Sequence, residues 1–533
     1  MNTLKLHTDD NCAVALKMLD AGSIEAVDGI MLGIKEDIIP KHKFALQDIS
    51  KDSAIIMYGI KVGRAKTSIL SGQALSIGNV SHDTENHTNS ITAIQNEKIQ
   101  TNDFKNLRFM GYNREDGQVG TQNIWIVIPL VFCENRNVKI MEEAFLEELG
   151  FKQPNNYKAL VRSLMNKENS EQATVNNRYF KNIDGIKFLT HHSGCGGTRE
   201  DAQILCQLIA GYVANPNVAG ATVLSLGCQN AQVSLLNKAL ERLLPATEKP
   251  VHIFEQQQLG SEEQLLTKAI TTTFRSLVEV NKTERQPAPL SKLVIGLECG
   301  GSDGFSGISA NPVVGHLSDI IVSLGGSSLL AEFPELCGVE SQLKARMKNA
   351  TDVHKFDKLM TNYAHRAEAA GSGFDMNPSP GNIKDGLITD AMKSAGAAKK
   401  GGTMPISGVL DYTEQIKTPG LHLLCTPGND VESTTGLAGS GANIILFTTG
   451  LGTPTGNPVA PVIKISSNNQ LAERMPDIID YSAGDIIVGK KTIEDCALKL
   501  LEIIIDIASG KKKSKAQQLE QNDFIPWKRG ISL

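Results

Sequence analysis

Apolar positions along the chain fall into two regimes. Up to about residue 80 they come in short alternating stretches broken by turns, such as Ala54-Ile55-Ile56-Met57-Tyr58 and Lys61-Val62-Gly63-Arg64-Ala65. Alternation of period two marks half-buried strands, so residues 1–80 predict a small β-rich module. From about residue 107 onward, apolar runs of strand length alternate with stretches of helical period. Ile124–Ile128, Ile186–Leu189, Ala221–Leu226, Val251–Phe254, Leu293–Leu297, Ser327–Ala331 and Asn443–Phe447 read as strands. Ile204, Leu205, Leu208, Ile209, Tyr212 and Val213 share one helical face, and Asn215-Pro216-Asn217 stops that helix. A last periodic helix is expected over Ile493–Ser509. Strand–helix alternation predicts an α/β fold with mainly parallel sheets. The proline-rich Gln286-Pro287-Ala288-Pro289 divides it into a first α/β domain, 107–288, and a second, 289–533. Residues 81–106 are polar and predict a linker, with His82 and His87 in it, that lets the first module swing as a lid.

The predicted strands end in chemistry. Leu293–Leu297 runs into Glu298-Cys299-Gly300-Gly301-Ser302-Asp303-Gly304, and Ile186–Leu189 into Thr190-His191-His192-Ser193-Gly194-Cys195. Ala221–Leu226 is followed by Gly227-Cys228-Gln229-Asn230, Ile124–Ile128 by Cys133-Glu134-Asn135, and Asn443–Phe447 by Thr448-Thr449-Gly450. Open α/β sheets bind ligands in the crevice beyond the carboxyl ends of their strands, and glycine lets backbone approach a ligand closely. Thiols, acids and hydroxyls at five strand ends therefore point to one assembled site.

Composition narrows the class. With 53 basic and 58 acidic residues the net charge is −5, which gives nucleic-acid binding little electrostatic support. No apolar run is long enough to span a bilayer, and Met1-Asn2-Thr3-Leu4-Lys5 lacks the apolar core of a signal peptide. Nine cysteines, widely spaced and without a CxxC pair, do not make a disulfide framework. A reduced, cytoplasmic protein without membrane partners is expected, and neither a P-loop nor a dinucleotide fingerprint is present.

Cys133, Cys195, Cys228 and Cys299 all follow strand-like runs and form the candidate metal set, because thiolates suit iron, alone or in a cluster. The competing reading is four small buried hydrophobes. His191, beside the Cys195 turn, is a candidate general base. Glu332, ahead of Pro334, and Asp303 are candidates for proton transfer or for orienting ligands, with Glu335 beside them, although an acid there also suits a helix N-terminus. Arg114 would pair bidentately with a carboxylate. Asn123, Ser302, Asn382, Lys384 and Thr448 complete the substrate-binding set, and His42 of the first module would close over the substrate.

Several long blocks carry a resemblance. They are Gly111-Tyr112-Asn113-Arg114-Glu115-Asp116-Gly117-Gln118-Val119-Gly120-Thr121, the Gly194-Cys195-Gly196 turn, Gly227-Cys228, the Cys299 loop through Ser309-Ala310-Asn311-Pro312, Glu332-Phe333-Pro334-Glu335, Asn377-Pro378-Ser379-Pro380-Gly381-Asn382 and Thr426-Pro427-Gly428-Asn429-Asp430. With these the chain resembles the altronate dehydratase family, which includes galactarate dehydratase and a sulfolactate sulfo-lyase. The resemblance implies a β-clip (SAF) domain in front and a hydro-lyase acting on an aldonate or aldarate, with D-altronate going to 2-dehydro-3-deoxy-D-gluconate and water. It also implies a ferrous iron requirement, which another divalent metal or an iron–sulfur cluster would meet, and a homo-oligomer is expected. Galactarate dehydration or sulfite loss is the alternative within the family, and a non-catalytic sugar-acid-binding protein the alternative outside it. Many relatives end the first domain with His-x-His-Asn, where this chain has Ser76-Ile77-Gly78-Asn79, so no role of those imidazoles carries over.

Overall fold

The structure is a computed structural model that describes residues 2–84, 102–153, 156–165, 178–244 and 249–532. The chain separates into two compact units. One combines Met1–Phe109 with Pro287–Trp527, and the other combines Met110–Gln286 with Lys528–Leu533. It is the α/β fold expected, with a β module in front and parallel sheets behind.

In the first unit the N-terminal module is built of short antiparallel strands. Thr3–Leu4, Cys12–Ala15 and Lys43–Ala45 form one sheet, and Ala54–Met57, Ile60–Ala65 and Val80–Ser81 another. Tyr58 and Gly59, both at positive φ (59° and 74°), make the tight turn of the second sheet's hairpin. Its right-handed strand twist favours that conformation. The expected swinging lid is not what forms. Cys12, Val14, Ile55, Met57 and Val62 of the module share one continuous apolar core with Phe305, Ile308, Ile388, Ala391 and Met392. Polar contacts reinforce it: Lys43 Nζ donates to the Gly386 carbonyl at 2.6 Å and Thr389 Oγ1 to that of Val62 at 2.5 Å. The module's half-buried strands had one apolar face to cover, and the larger domain covers it. His82, expected in the linker, instead meets Asp390 at 2.6 Å. His87 and most of the predicted linker lie outside the described residues.

The rest of this unit is a seven-stranded parallel sheet. Its order is Ile406–Leu410, Gly420–Leu424, Ser327–Leu330, Val294–Cys299, Ile444–Thr449, Val462–Ser466 and Tyr481–Ser482. The chain enters at the central strand Val294–Cys299, builds outward to one side, then crosses to Ile444–Thr449 on the other. That reversal opens a crevice beyond Cys299, the switch point where such sheets bind ligands.

The second unit holds four parallel strands in the order Gly185–Phe188, Ile124–Pro129, Val218–Ser225 and Val251–Glu255. The helix Arg199–Ala214 starts at a Thr198 cap and buries all six residues of its predicted apolar face. Asn215-Pro216 ends it as expected. The core of this unit gathers around Trp125, Val127, Phe145 and Leu265. Among the described residues, no helix is long and apolar enough to cross a membrane.

Candidate active site

At the switch point a set of charged side chains is buried together. Glu298 and Cys299 close the central strand, and Glu332 follows the neighbouring strand Ser327–Leu330. Glu332 sits at φ 68°, ψ 66°, a left-handed conformation that costs on the order of 1–3 kcal/mol for a residue with a Cβ. Its surroundings enforce it. The Glu332 amide donates to Thr426 Oγ1 at 2.8 Å, while its Oε2 accepts from the Cys299 amide at 3.0 Å and from Lys400 Nζ at 2.9 Å. Glu335, one turn on, accepts from the Cys299 thiol at 3.0 Å and pairs with Lys393 at 2.6 Å. Lys393 comes from the helix Asp390–Ala397 and also donates to Asn377 Oδ1 at 2.8 Å. Asp430 opens the helix Asp430–Gly439, whose N-cap is Asn429. Gly300 has no Cβ because one would collide with the Asp430 carboxylate and sit 2.5 Å from the Phe447 ring.

Such a cluster is stable only if charges cancel or protons redistribute. Both happen. Burial, then the Glu332 charge, push Glu298 well above the usual carboxylate range. Burial and then Glu335 raise Glu332, against the pull of Lys400. Burial opposes the charge on Glu335 too, but Lys393 and Lys400 outweigh it and hold that carboxyl below its ordinary value. Desolvation also works against Lys400, yet the surrounding acids and thiol keep it firmly cationic. The Cys299 thiol is pushed well up by burial and by both glutamates, so it stays protonated. Asp430 rises to about 7 through burial and the Glu332 and Glu335 charges. Beside this cluster lies a cavity of about 600 Å³, lined among others by Cys299, Glu335, Asn377, Asn382, Lys393 and Asp430.

Glu332 and Glu335 are the catalytic candidates from the sequence that belong to this cluster. Asp303 is fully buried with both oxygens used: Oδ1 accepts from Phe305 N, Ser306 Oγ and Ser467 Oγ, and Oδ2 from Lys41 Nζ at 3.0 Å and Asn468 Nδ2 at 3.1 Å. It braces the N-terminal module against the sheet and does not line the cavity. His191 is buried, with Nε2 donating to the Pro129 carbonyl at 2.7 Å and Nδ1 accepting from Ser193 N at 3.1 Å. Burial takes its pKa down to about 4, so it pins two loops and offers no lone pair for a substrate proton.

The substrate-binding set divides in the same way. Arg114 spends its guanidinium on the Pro216 carbonyl at 2.8 Å, Asn123 Oδ1 at 3.1 Å and the Gln122 carbonyl at 3.2 Å. Asn123 Nδ2 in turn donates to the Asn182 carbonyl at 2.7 Å. Both serve the second unit's own backbone. Thr448 Oγ1 donates to Asn311 Oδ1 at 2.6 Å inside the sheet. Ser302 is buried and contributes its carbonyl to Asn382 Nδ2 at 2.7 Å. Asn382 alone of this set lines the cavity, and it also caps Ser379. His42 Nε2 donates to the Lys384 carbonyl at 3.1 Å, and the exposed Lys384 side chain is not among the cavity's lining residues.

Sequence reasoning missed Lys393 and Lys400. The available signal was small: Lys399-Lys400 is embedded in Ala395-Gly396-Ala397-Ala398 and Gly401-Gly402, a context that allows close burial. Asp430 stood in a recognised block without an assigned role.

Three family models tile the chain. The altronate/galactarate dehydratase SAF domain matches residues 1–83, the D-galactarate dehydratase/altronate hydrolase second domain 111–281, and the D-galactarate/altronate dehydratase C-terminal domain 290–532. The chain belongs to the altronate/galactarate dehydratase family. It is 33% identical over 537 residues to altronate dehydratase of Bacillus subtilis (strain 168), covering 99% of each chain. It is also 33% identical to altronate dehydratase of Escherichia coli (strain K12), over 100% of each. Galactarate dehydratase (L-threo-forming) of Escherichia coli (strain K12) is 30% identical across 97% of this chain and 94% of its own. Membership makes this protein a hydro-lyase, and its match to all three family domains covers both compact units.

The family's iron can be tested against the donors present. Cys133, Cys195, Cys228 and Cys299 do not form one set within either unit. Cys299 belongs to the first unit and is buried with its thiol on Glu335, whereas the other three are exposed on the second. Cys299, Glu332 and Glu335 place one ligand atom each within 4.8 Å of one another, but hydrogen bonds and lysine ammoniums already occupy them. Glu298, Glu332 and Asp430 form a second such group. Here Glu298 Oε1 and Glu332 Oε1 are buried without a donor. A proton held between these two glutamates satisfies them, and so does a cation; three carboxylate oxygens suit a hard divalent ion, ferrous iron included.

Proposed function

We propose that the protein dehydrates a six-carbon sugar acid, D-altronate, to 2-dehydro-3-deoxy-D-gluconate and water, in the cavity beyond Cys299. Two altronate dehydratases matching at 33% over essentially full length support this substrate over galactarate, whose dehydratase matches at 30%. The observation that carries the placement is the Glu335–Lys393 pair on the cavity wall, a base and a cation held 2.6 Å apart above buried acids.

The reaction breaks a C2–H bond whose proton is only weakly acidic. Glu335 is kept ionised by its lysines, so the proton-accepting form is present throughout the neutral range. Lys393 stays cationic because Glu335 and the neighbouring thiol outweigh its burial. It faces the substrate carboxylate and offsets the charge that develops there as C2 loses its proton. Asn377 fixes the ammonium and Asn382 offers a polar contact to a hydroxyl. The C3 hydroxyl leaves as water with the proton that Glu335 took from C2, and the resulting enol gives up its O–H proton and gains one at C3 to become the 2-keto acid. Glu298, Glu332 and Asp430 would hold the ferrous ion, which when bound supplies Lewis acidity toward substrate oxygens. A cytoplasmic setting agrees with the absence of disulfides among the described residues.

An anaerobic screen of purified protein with ferrous iron against a panel of aldonates and aldarates tests the reading. D-Altronate should turn over fastest and release a 2-keto-3-deoxy acid. Turnover of galactarate alone would reassign the substrate, and turnover of none would refute the assignment.

A further inference from the structure

Three of the nine cysteines are exposed, and all three follow the carboxyl ends of strands in the four-stranded sheet. Free cysteine is among the most buried residue types, so an exposed trio is not explained by packing. Cys133 follows the strand Ile124–Pro129, Cys195 the strand Gly185–Phe188 on one side of it, and Cys228 the strand Val218–Ser225 on the other. The strands are parallel and adjacent, so the three loops leave the sheet side by side. Pro129 and Leu224 are paired across the sheet, and Cys133 and Cys228 lie the same number of residues beyond them.

The loops are also bonded to one another. The Cys195 loop is the hub: the Ser193 carbonyl accepts from Phe132 N at 3.1 Å, next to Cys133, and the Gly194 carbonyl from Ala231 N at 3.0 Å, just past Cys228. Asn230 Nδ2 donates to the Gly197 carbonyl at 3.2 Å, and Asn135 Nδ2 to the His191 carbonyl at 2.8 Å. Gly194, at φ 101°, lies so close to the Leu130 carbonyl that no side chain fits between. Buried His191, unused in the proposed reaction, completes the brace by joining Pro129 to Ser193. Each cysteine stands just ahead of a helix: Asn135–Glu148, Arg199–Ala214 and Val233–Leu243.

We propose that Cys133, Cys195 and Cys228 together hold a thiolate-bound metal centre, of the soft or borderline kind that three sulfurs select. Three protein thiolates satisfy an iron–sulfur cluster with one iron left open; the three sulfurs do not gather within 4.8 Å of one another, as the ligands of a single ion would, and the wider span of a cluster suits them. The site lies on the second unit and shares no donor with the carboxylate set of the first. It also does not depend on the altronate reading, because bound metal and not turnover reports it.

The test uses the full chain, purified anaerobically and then incubated with ferrous iron and sulfide, or with zinc alone. Iron, zinc and acid-labile sulfide are measured, with visible absorption and Mössbauer spectra. Wild type should hold iron together with acid-labile sulfide, and Glu298→Gln, which loses the carboxylate-bound ion, should keep that sulfide. Each of Cys133→Ser, Cys195→Ser and Cys228→Ser should lose at least half of the acid-labile sulfide, the triple variant all of it, and Cys337→Ser none. Iron with acid-labile sulfide supports the cluster, and zinc bound by these thiols without sulfide would contradict it. Peptide mapping after alkylation gives a readout that needs no variant: metal-loaded wild type should protect these three thiols and the stripped protein should not. Equal alkylation with and without metal, or wild-type sulfide content in the triple variant, would overturn the proposal.

Discussion

Lys400→Met removes one charge from the buried cluster and shortens the side chain only by its terminal nitrogen. Lys400 is 1% exposed, and its ammonium lies 2.9 Å from Glu332, which is fully buried. Methionine fills the volume, so the loss is electrostatic rather than a cavity. Breaking a buried ion pair on one side costs about 3–5 kcal/mol because the remaining charge is left without a partner. Glu298, already pushed toward its neutral form, offers Glu332 no compensating charge. The variant has one relief, which is to protonate Glu332. Its folded-state pKa, raised even in the wild type, then rises further above the unfolded value. A carboxyl raised in this way destabilises the fold most at high pH, and the penalty disappears as pH falls below the unfolded value. The deficit should therefore be full at pH 8 and shrink on acidification. Urea unfolding, with hydrogen exchange of Val294–Cys299 and Ser327–Leu330 to isolate this unit, measures it. Adding Glu332→Gln should restore much of the loss. A single-variant deficit under about 1 kcal/mol at pH 8, or one that does not change with pH, would refute the view that Lys400 neutralises a buried carboxylate.

Other perturbations separate the site from its scaffold. Gly300→Ala would drive a methyl into Asp430 and the Phe447 ring, so bound divalent metal and turnover should each fall at least ~10-fold, with Glu298→Gln as the reference for a lost donor. Arg114→Lys loses the three-way guanidinium contact and should destabilise the second unit by about 1–3 kcal/mol in urea unfolding while leaving KM unchanged; a raised KM at full stability would return it to the substrate. Asp390 raises the pKa of His82 chiefly through their hydrogen bond, so the pair's stabilisation is complete below the ordinary histidine value of 6.5 and fades as pH rises through the elevated one. His82→Asn should accordingly lower Tm more at pH 5.5 than at pH 8.5, and an equal loss at both would show that the bond carries no charge.

The fold was legible wherever apolar runs were long. The strands Ile124–Pro129 and Val294–Cys299 and the helix Arg199–Ala214 are each buried on the faces that the pattern marks. Glu332 was legible because a strand run ends there and Pro334 forces a turn. The errors share a physical origin. Arg114, Asn123, Asp303 and His191 sit at strand ends or turns, where unpaired backbone groups need partners, and each answers that need; Thr448 spends its hydroxyl on the Asn311 side chain. A polar side chain that satisfies the chain and one that meets a ligand look alike in sequence. Lys393 and Lys400 were invisible for the opposite reason, since their burial is decided by acids 58 to 68 positions away. The docking of the first module was hidden by the polar segment after it, because the module's partner surface, Phe305 to Met392, is remote in sequence.

The most direct test of the central claim is Glu335→Gln, assayed anaerobically with ferrous iron and D-altronate. Glutamine keeps the shape and the contact to Lys393 but cannot take the C2 proton. The account predicts a fall in kcat of about 10²–10⁴, the usual worth of a positioned base, with bound iron and the exchange protection of Val294–Cys299 unchanged. A wild-type kcat in this variant, at normal iron content, would contradict the assignment of the Cys299 cavity as the place where the proton moves.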